Sequence, residues 1–239
     1  MKIKVIMTDK AMSRETMNDR EEMLGVVLSP DTVVSVDCIK KGPDELDCHT
    51  DEAFAAAELV KESIKAEKAG FDAIVIYCFS DVGIDAIREN VRIPVIGPGE
   101  TSLAAASMLC NRFTVLTSES RNISRTYRRL MKNGIAREKM ISVRALDIPI
   151  GELRSNPGVT EKHVKEICKK AVDEDCSDGI ILGCLSMAGY GKQLESELPV
   201  KVIDPAFVAV AYAEMCVRTN LVHITASYPV FENNSHVEM

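Results

Sequence analysis

The chain has 239 residues, 46% apolar and 27% charged, with a net charge of −7 and a mean hydropathy of +0.01. That balance excludes a disordered or fibrous chain and implies a folded protein burying about 70% of its unfolded surface. Acidity, the lack of Trp and only five Tyr and six Phe argue against nucleic acid as a partner. No window approaches the roughly 20 consecutive apolar residues of a membrane span.

Short β-branched apolar runs alternate with helical patterns from end to end. The first strand is expected at Ile3–Met7, where the N-terminus is too short for a secretory signal, and a helix follows at Ser13–Leu24. Next come a strand at Thr32–Ile39, a helix at Asp51–Ala69, a strand at Ala73–Tyr77 and a helix at Gly83–Asn90. A strand at Val95–Gly97 precedes a helix at Glu100–Leu109, then a strand at Phe113–Thr117 and a helix at Arg121–Lys132. The rest reads as strands at Ile141–Ala145, Gly179–Leu182 and Lys201–Ile203, with helices at Glu161–Asp173, Ser186–Glu197 and Ala206–Arg218. Thr50-Asp51-Glu52 and Thr160-Glu161 offer a hydroxyl and acids at helix starts. Alternating βα units predict an α/β protein with parallel sheets covered by helices. The polar tail from Tyr228 to Met239 is expected to be loose.

An internal repeat runs through this pattern. Asp72-Ala73-Ile74-Val75-Ile76-Tyr77-Cys78-Phe79-Ser80 aligns with Asp178-Gly179-Ile180-Ile181-Leu182-Gly183-Cys184-Leu185-Ser186 at an offset of 106, and Ile93-Pro94-Val95 aligns with Leu198-Pro199-Val200 at 105. The simplest account is two halves of one design: residues 1–99 with 206–239, and residues 100–205.

The eight cysteines are Cys38, Cys48, Cys78, Cys110, Cys168, Cys176, Cys184 and Cys216, with no C-x-x-C pair. Zinc-ribbon and thioredoxin-like spacings are therefore missing, and no metal or disulfide framework is expected. Small core or surface thiols in a reducing cytosol account for six of them. Cys78 and Cys184 differ, because each ends an apolar strand just before a helix, at equivalent places in the two halves. Ligands of parallel α/β sheets bind at the carboxyl ends of strands, beside helix N-termini whose N–H groups hold carbonyl or carboxylate oxygens. The same positive helix end increases the thiolate fraction of a cysteine. With a pseudo-two-fold between the halves, the two sulfurs would face one small molecule. One thiolate could then remove a proton from a stereocentre while the other thiol delivers one to the opposite face.

At these residues the sequence resembles a known family. Cys78-Phe79-Ser80-Asp81-Val82-Gly83-Ile84-Asp85-Ala86 with Pro94-Val95-Ile96-Gly97-Pro98-Gly99-Glu100, and Leu182-Gly183-Cys184 with Met187-Ala188, Pro199-Val200 and Asp204-Pro205, are similar to the two cysteine motifs of the hydantoin racemase branch of the aspartate/glutamate racemase superfamily. The resemblance covers roughly residues 51–212. It implies two pseudo-symmetric Rossmann-like domains, a cofactor-independent active site in the interdomain cleft, and Cys78 and Cys184 as acid and base. It also implies that Phe79, Ser80, Thr117, Ser118 and Leu185 hold substrate through backbone N–H groups and hydroxyls, with Thr8 offering a further hydroxyl. Helix capping alone is an alternative for Ser80, Ser118 and Ser186.

Departures surround these motifs. Where relatives carry an Asn-Pro-Asn-Thr-Ser-like loop after the first strand, this chain has Thr8-Asp9-Lys10-Ala11-Met12-Ser13. Val82 replaces the usual proline, and Leu185-Ser186 replaces the common Ala-Gly. Gly97-Pro98-Gly99-Glu100-Thr101 lacks phosphate-loop spacing and reads as a turn into a capped helix. Arg121, Arg125, Arg128 and Arg129 form a helical stripe that reads as a solvated face, within which Arg121 could reach a cleft. His49, His163, His223 and His236 show no ligand spacing.

These observations predict a cytoplasmic, cofactor-independent racemase, homo-oligomeric like its relatives and without nucleic-acid or membrane partners. Its expected small-molecule substrate is a 5-monosubstituted hydantoin such as allantoin or an amino-acid hydantoin. A maleate cis–trans isomerase, an aspartate or glutamate racemase, and a two-domain binding module without turnover are the alternatives.

Overall fold

The computed structural model describes residues 1–10, 12–131, 134–195 and 198–230. The expected helix ends at Lys132 and Glu197, His236, and the tail beyond Val230 lie outside them. The chain divides into two compact units, Met1–Pro98 with Ala209–Met239, and Gly99–Val208.

The first unit contains β1 (Lys2–Met7), α1 (Arg14–Gly25), β2 (Val33–Cys38), α2 (His49–Lys68), β3 (Ala73–Tyr77), α3 (Ile84–Asn90) and β4 (Val95–Ile96). Its four strands are parallel in the order β2-β1-β3-β4. The second unit holds most of α4 (Pro98–Leu109), then β5 (Phe113–Thr117), α5 (Ile123–Leu130), α6 (Gly134–Lys139), β6 (Met140–Ala145), α7 (Pro157–Asp175), β7 (Gly179–Leu182), α8 (Gly191–Leu194) and β8 (Lys201–Ile203). Its strands repeat the arrangement, parallel in the order β6-β5-β7-β8. Helix α9 (Pro205–Arg218) includes the second crossing between the units.

Central strands β3, β5 and β7 are buried at every residue, which is why they read as unbroken apolar runs rather than alternating ones. In the first unit Ile6, Leu59, Ile74, Ile76 and Ile87 share one core cluster; in the second, Leu116, Leu153, Val164, Ile180 and Leu182 do so. Full burial of each such side chain contributes about 1.5–3 kcal/mol.

The repeat extends to hydrogen bonds at the strand starts. Asp72 N–H donates to Lys2 O at 2.8 Å, and its carboxylate accepts from Lys2 N–H at 2.7 Å. Asp178 N–H donates to Arg112 O at 2.8 Å, and its carboxylate accepts from Asn111 and Arg112 N–H groups at 2.9–3.1 Å. Each aspartate thereby pins the start of one central strand to its neighbour. Just before them, Gly70 and Cys176 follow α2 and α7 with φ of 78° and 57°, the left-handed conformation that ends helices. The 106-residue offset therefore holds from helix end through strand. It changes further on: Ile74 pairs with Val95 and Ile180 with Val202, so β4 and β8 correspond at an offset of 107. Pro94-Val95 enters its strand, whereas Pro199-Val200 precedes β8.

Three local expectations are corrected. Helix α2 begins after Cys48, with the Asp51 carboxylate accepting from the Asp47 and Cys48 N–H groups; Thr50 is not the cap. Helix α7 begins a turn early, capped by Asn156 and started by Pro157, which puts Thr160 inside the helix and buried. The helix expected at Ser186–Glu197 is instead a 3-10 turn at Leu185–Met187 and the short α8. Gly189 breaks it at φ 92°, its N–H turned onto the Asp204 carboxylate at 2.7 Å. Helix α6 carries no strong periodic signal and was not expected. Among the described residues no helix is long and apolar enough to cross a membrane.

Two stability predictions follow from this packing. A Cβ on Gly179 would land on the Cys110 side chain, so Gly179→Ala destabilises by about 1–3 kcal/mol, and adding Cys110→Ala recovers part of that loss in thermal denaturation. Arg144, hydrogen-bonded to Asp175 through Nε at 2.6 Å and Nη2 at 2.7 Å, holds that carboxyl below its ordinary 3.8. The resulting stability is present above that pH and is lost as pH falls through the lower folded value. Wild type therefore loses more melting temperature between pH 5 and 3 than Arg144→Gln.

Candidate functional site

In each unit the parallel sheet sends every strand's carboxyl end to one edge, where the expected residues stand. One residue beyond the last β1–β3 pair, Met7 with Tyr77, lie Thr8 and Cys78. Two beyond Leu116 with Leu182 lie Ser118 and Cys184. Thr8 and Ser118 thus occupy equivalent places on β1 and β5, each beside its thiol's strand, and both are buried, as is Thr117.

Both thiols enter the same turn. Cys78 O accepts from Asp81 N–H at 3.0 Å, and Cys184 O accepts from Met187 N–H at 2.9 Å. The turns set the Phe79 and Leu185 N–H groups directly after the cysteines, while their apolar side chains are buried at 5% and 4% exposure. Burial of these side chains anchors the backbone beside each sulfur. Cys78 Sγ lies 3.2 Å from Ser80 Oγ. Both sulfur-bearing residues are partly buried against their unit's core.

The six other cysteines fall into two groups. Cys38, Cys110, Cys168 and Cys216 are buried, and burial pushes each thiol up, Cys168 to about 12. Cys48 and Cys176 are exposed at helix ends. Only the pair at the strand ends combines partial access with core support. Among the described residues no group of three or more His, Cys, Asp or Glu could hold a metal ion.

A carboxylate braces each cysteine loop, and sequence reasoning assigned it no role. In the first unit Asp81, at φ 53°, lies against Gly97, the residue after β4; a Cβ on Gly97 would sit 2.5 Å from the Asp81 Cγ and Oδ1. In the second unit the types are exchanged. Gly189, left-handed in the Cys184 loop, donates its N–H to Asp204, the residue after β8. Asp204 is 7% exposed, and burial pushes its carboxyl up against the opposing pull of the Gly189 and Ala206 N–H groups. Arg154 donates to Ala188 O and lies over the Tyr190 ring at 5.4 Å, which ties down the remainder of that loop. The visible signals were Gly97-Pro98 and Asp204-Pro205, each following the last strand of its half in a matched motif.

Arg20 was also missed. It is 6% exposed, donates to Tyr77 Oη at 3.0 Å and lies 5.0 Å from that ring's centroid, which anchors α1 beside the residue preceding Cys78. On the arginine stripe, Arg121 pairs with Glu119 at 2.8 Å and is largely solvated, whereas Arg125 has buried guanidinium nitrogens, so that stripe is not a uniformly solvated face. Lys10 and Asp44, 3.6 Å apart, link the loops after β1 and β2.

The architecture is that of known racemases. The structure superposes on allantoin racemase from Klebsiella pneumoniae with a TM-score of 0.89, at 30% identity over 97% of this chain and 94% of that one. The sequence is 32% identical to a hydantoin racemase of Pseudomonas sp. (strain NS671), covering 91% of this chain and 86% of the relative. It is 31% identical to a hydantoin racemase of Paenarthrobacter aurescens, covering 80% and 81%. The protein is an α/β isomerase of the racemase class. It belongs to the Asp/Glu/Hydantoin racemase family, whose model matches residues 13–213.

Burial orders the thiols for alkylation. With iodoacetamide on the native protein, mass spectrometry should find Cys48, Cys78, Cys176 and Cys184 modified, and Cys38, Cys110, Cys168 and Cys216 only after unfolding.

Proposed function

We propose that the protein racemises a 5-monosubstituted hydantoin, such as allantoin or an amino-acid hydantoin, without a cofactor, and that Cys78 and Cys184 act on opposite faces of one substrate molecule. The observation that carries this reading is the recurrence of one strand-end device: a partly accessible thiol, a turn closed on its own carbonyl, and a buried hydroxyl on the adjacent strand. A core cysteine has no reason to recur with all three. The names of the relatives support the substrate class.

The C5 hydrogen of such a ring is acidic because the electron pair left behind spreads onto the neighbouring carbonyl. For one enantiomer the Cys78 thiolate takes the C5 proton, and the pair moves into the ring as an enolate. The Cys184 thiol then protonates C5 from the other face, the carbonyl re-forms, and Cys184 is left as the thiolate. For the other enantiomer the roles exchange. N–H groups of Phe79 and Leu185, with the hydroxyls of Thr8, Ser80, Thr117 and Ser118, hold the ring and stabilise the charge developing on oxygen.

The test uses single enantiomers of allantoin and of 5-substituted hydantoins in D₂O, followed by polarimetry and NMR. Wild type should lose optical rotation while deuterium enters C5. Cys78→Ser and Cys184→Ser should each reduce inversion by at least about 10³-fold, and each should retain C5 exchange for one enantiomer only, opposite in the two variants. Inversion at the wild-type rate in either variant overturns the two-thiol mechanism. Turnover of maleate, aspartate or glutamate without turnover of any hydantoin overturns the substrate class.

A further inference from the structure

Each unit places one aspartate and one glycine where its cysteine loop meets the end of its last strand. In each unit a left-handed residue of the loop leaving the cysteine lies against the first residue after the unit's last strand: Asp81 against Gly97 in the first unit, whose loop also holds left-handed Gly83, the match of Gly189 at the 106-residue offset, and Gly189 against Asp204 in the second. One partner is an aspartate and the other a glycine in both, but the aspartate is on the cysteine loop in the first unit and on the strand end in the second. The strand register makes Gly97 and Asp204 equivalent, since Ile96 and Ile203 pair with Val75 and Ile181.

Local structure does not account for both partners. Capping of α9 explains why Asp204 accepts from Ala206 N–H at 3.1 Å, but not the shorter bond to Gly189, 15 residues away on the cysteine loop. A turn explains Asp81 N–H donating to Cys78 O, but a turn places no demand on Gly97. There a Cβ would meet Asp81 at 2.5 Å and the Ile84 Cδ1 at 2.8 Å. Asp204 therefore couples its cysteine loop to the strand end by a hydrogen bond, and Asp81 does so by packing against Gly97, where a Cβ would not fit.

We propose that Asp81 and Asp204 are positioning residues, each fixing one of the two acid–base cysteines: Asp81 with Gly97 for Cys78, and Asp204 with Gly189 for Cys184. The inference rests on the two-cysteine reading above. Proton transfer demands close placement of the sulfur over C5, and a misplacement near 1 Å costs about 10²-fold in rate. Loosening one brace disables one thiol and leaves the other in place.

Kinetic constants in the two directions cannot expose this, because enantiomers have equal free energy and kcat/KM must fall equally for both. The partition between exchange and inversion can. With its Cys184 brace loosened, the enzyme still lets Cys78 remove and return the proton of one enantiomer, which exchanges with D₂O without inverting. The other enantiomer neither exchanges nor inverts. Asp204→Asn should therefore reduce inversion about 10²-fold and show the same enantiomer bias in exchange as Cys184→Ser. Asp81→Asn should show the bias of Cys78→Ser. The serine variants Asp204→Ser and Asp81→Ser, each keeping one acceptor, replace an asparagine variant that does not fold.

A merely structural role predicts loss of inversion and exchange together, with no bias. That result, wild-type inversion, or the same bias in both aspartate variants overturns the proposal, provided the cysteine variants show their opposite biases. If the cysteine variants show none, the two-thiol reading has failed instead, and the braces fail with it.

Discussion

The candidate site residues depend for their placement on the parallel pairing of β1 with β3 and of β5 with β7, fixed at one end by Asp72 and Asp178. In a parallel sheet a one-residue slip turns every side chain to the opposite face. A carboxylate that accepts N–H groups at or just before the start of the neighbouring strand selects one register. Six residues later, about 20 Å along an extended strand, the chain emerges as Cys78 or Cys184. Placement of each thiol beside Thr8 or Ser118 is thus decided at the far end of the sheet, by groups that touch no substrate.

Once the register is set, burial does the remaining positioning. The Phe79 and Leu185 side chains are buried, and this leaves the cysteine partly accessible between a buried strand and a buried neighbour. The residue at the end of a strand is held on one side by the sheet and on the other by a short turn. Such a group loses little further freedom when it meets a ligand. Four of the remaining cysteines lie in the core, where desolvation disfavours their thiolates.

The strands were legible because buried parallel strands are short, apolar and bounded by polar turns, and the sequence places all eight within two residues of their ends in the structure. The placement of Cys78 and Cys184 at equivalent strand ends was legible because the repeat singled out two of eight cysteines. What was not legible depended on contacts between distant segments. The helix expected at Ser186–Glu197 has a helical pattern, yet Gly189 leaves the helical region because Asp204 draws its N–H away. Thr50 and Thr160 are sensible caps, but Asp51 and Asn156 make the bonds. Arg125 sits on a stripe that reads as solvated, although burial of its nitrogens is decided by the surrounding fold. The two-residue shift before β8 is invisible in Pro199-Val200 and appears only in strand pairing.

The exchanged aspartate and glycine bear on how such a repeat can change over time. Compared column by column, Asp81 and Met187 differ, as do Gly97 and Asp204, so alignment of the halves scores two unrelated mismatches. Physically the pairs Asp81–Gly97 and Gly189–Asp204 each join a cysteine loop to the end of a last strand. Neither member can change alone at low cost. Two aspartates would set carboxylates against each other, and two glycines would leave the loop without its acceptor. Substitutions at these sites are therefore coupled within each half, even though the loops keep a glycine at the matching positions Gly83 and Gly189.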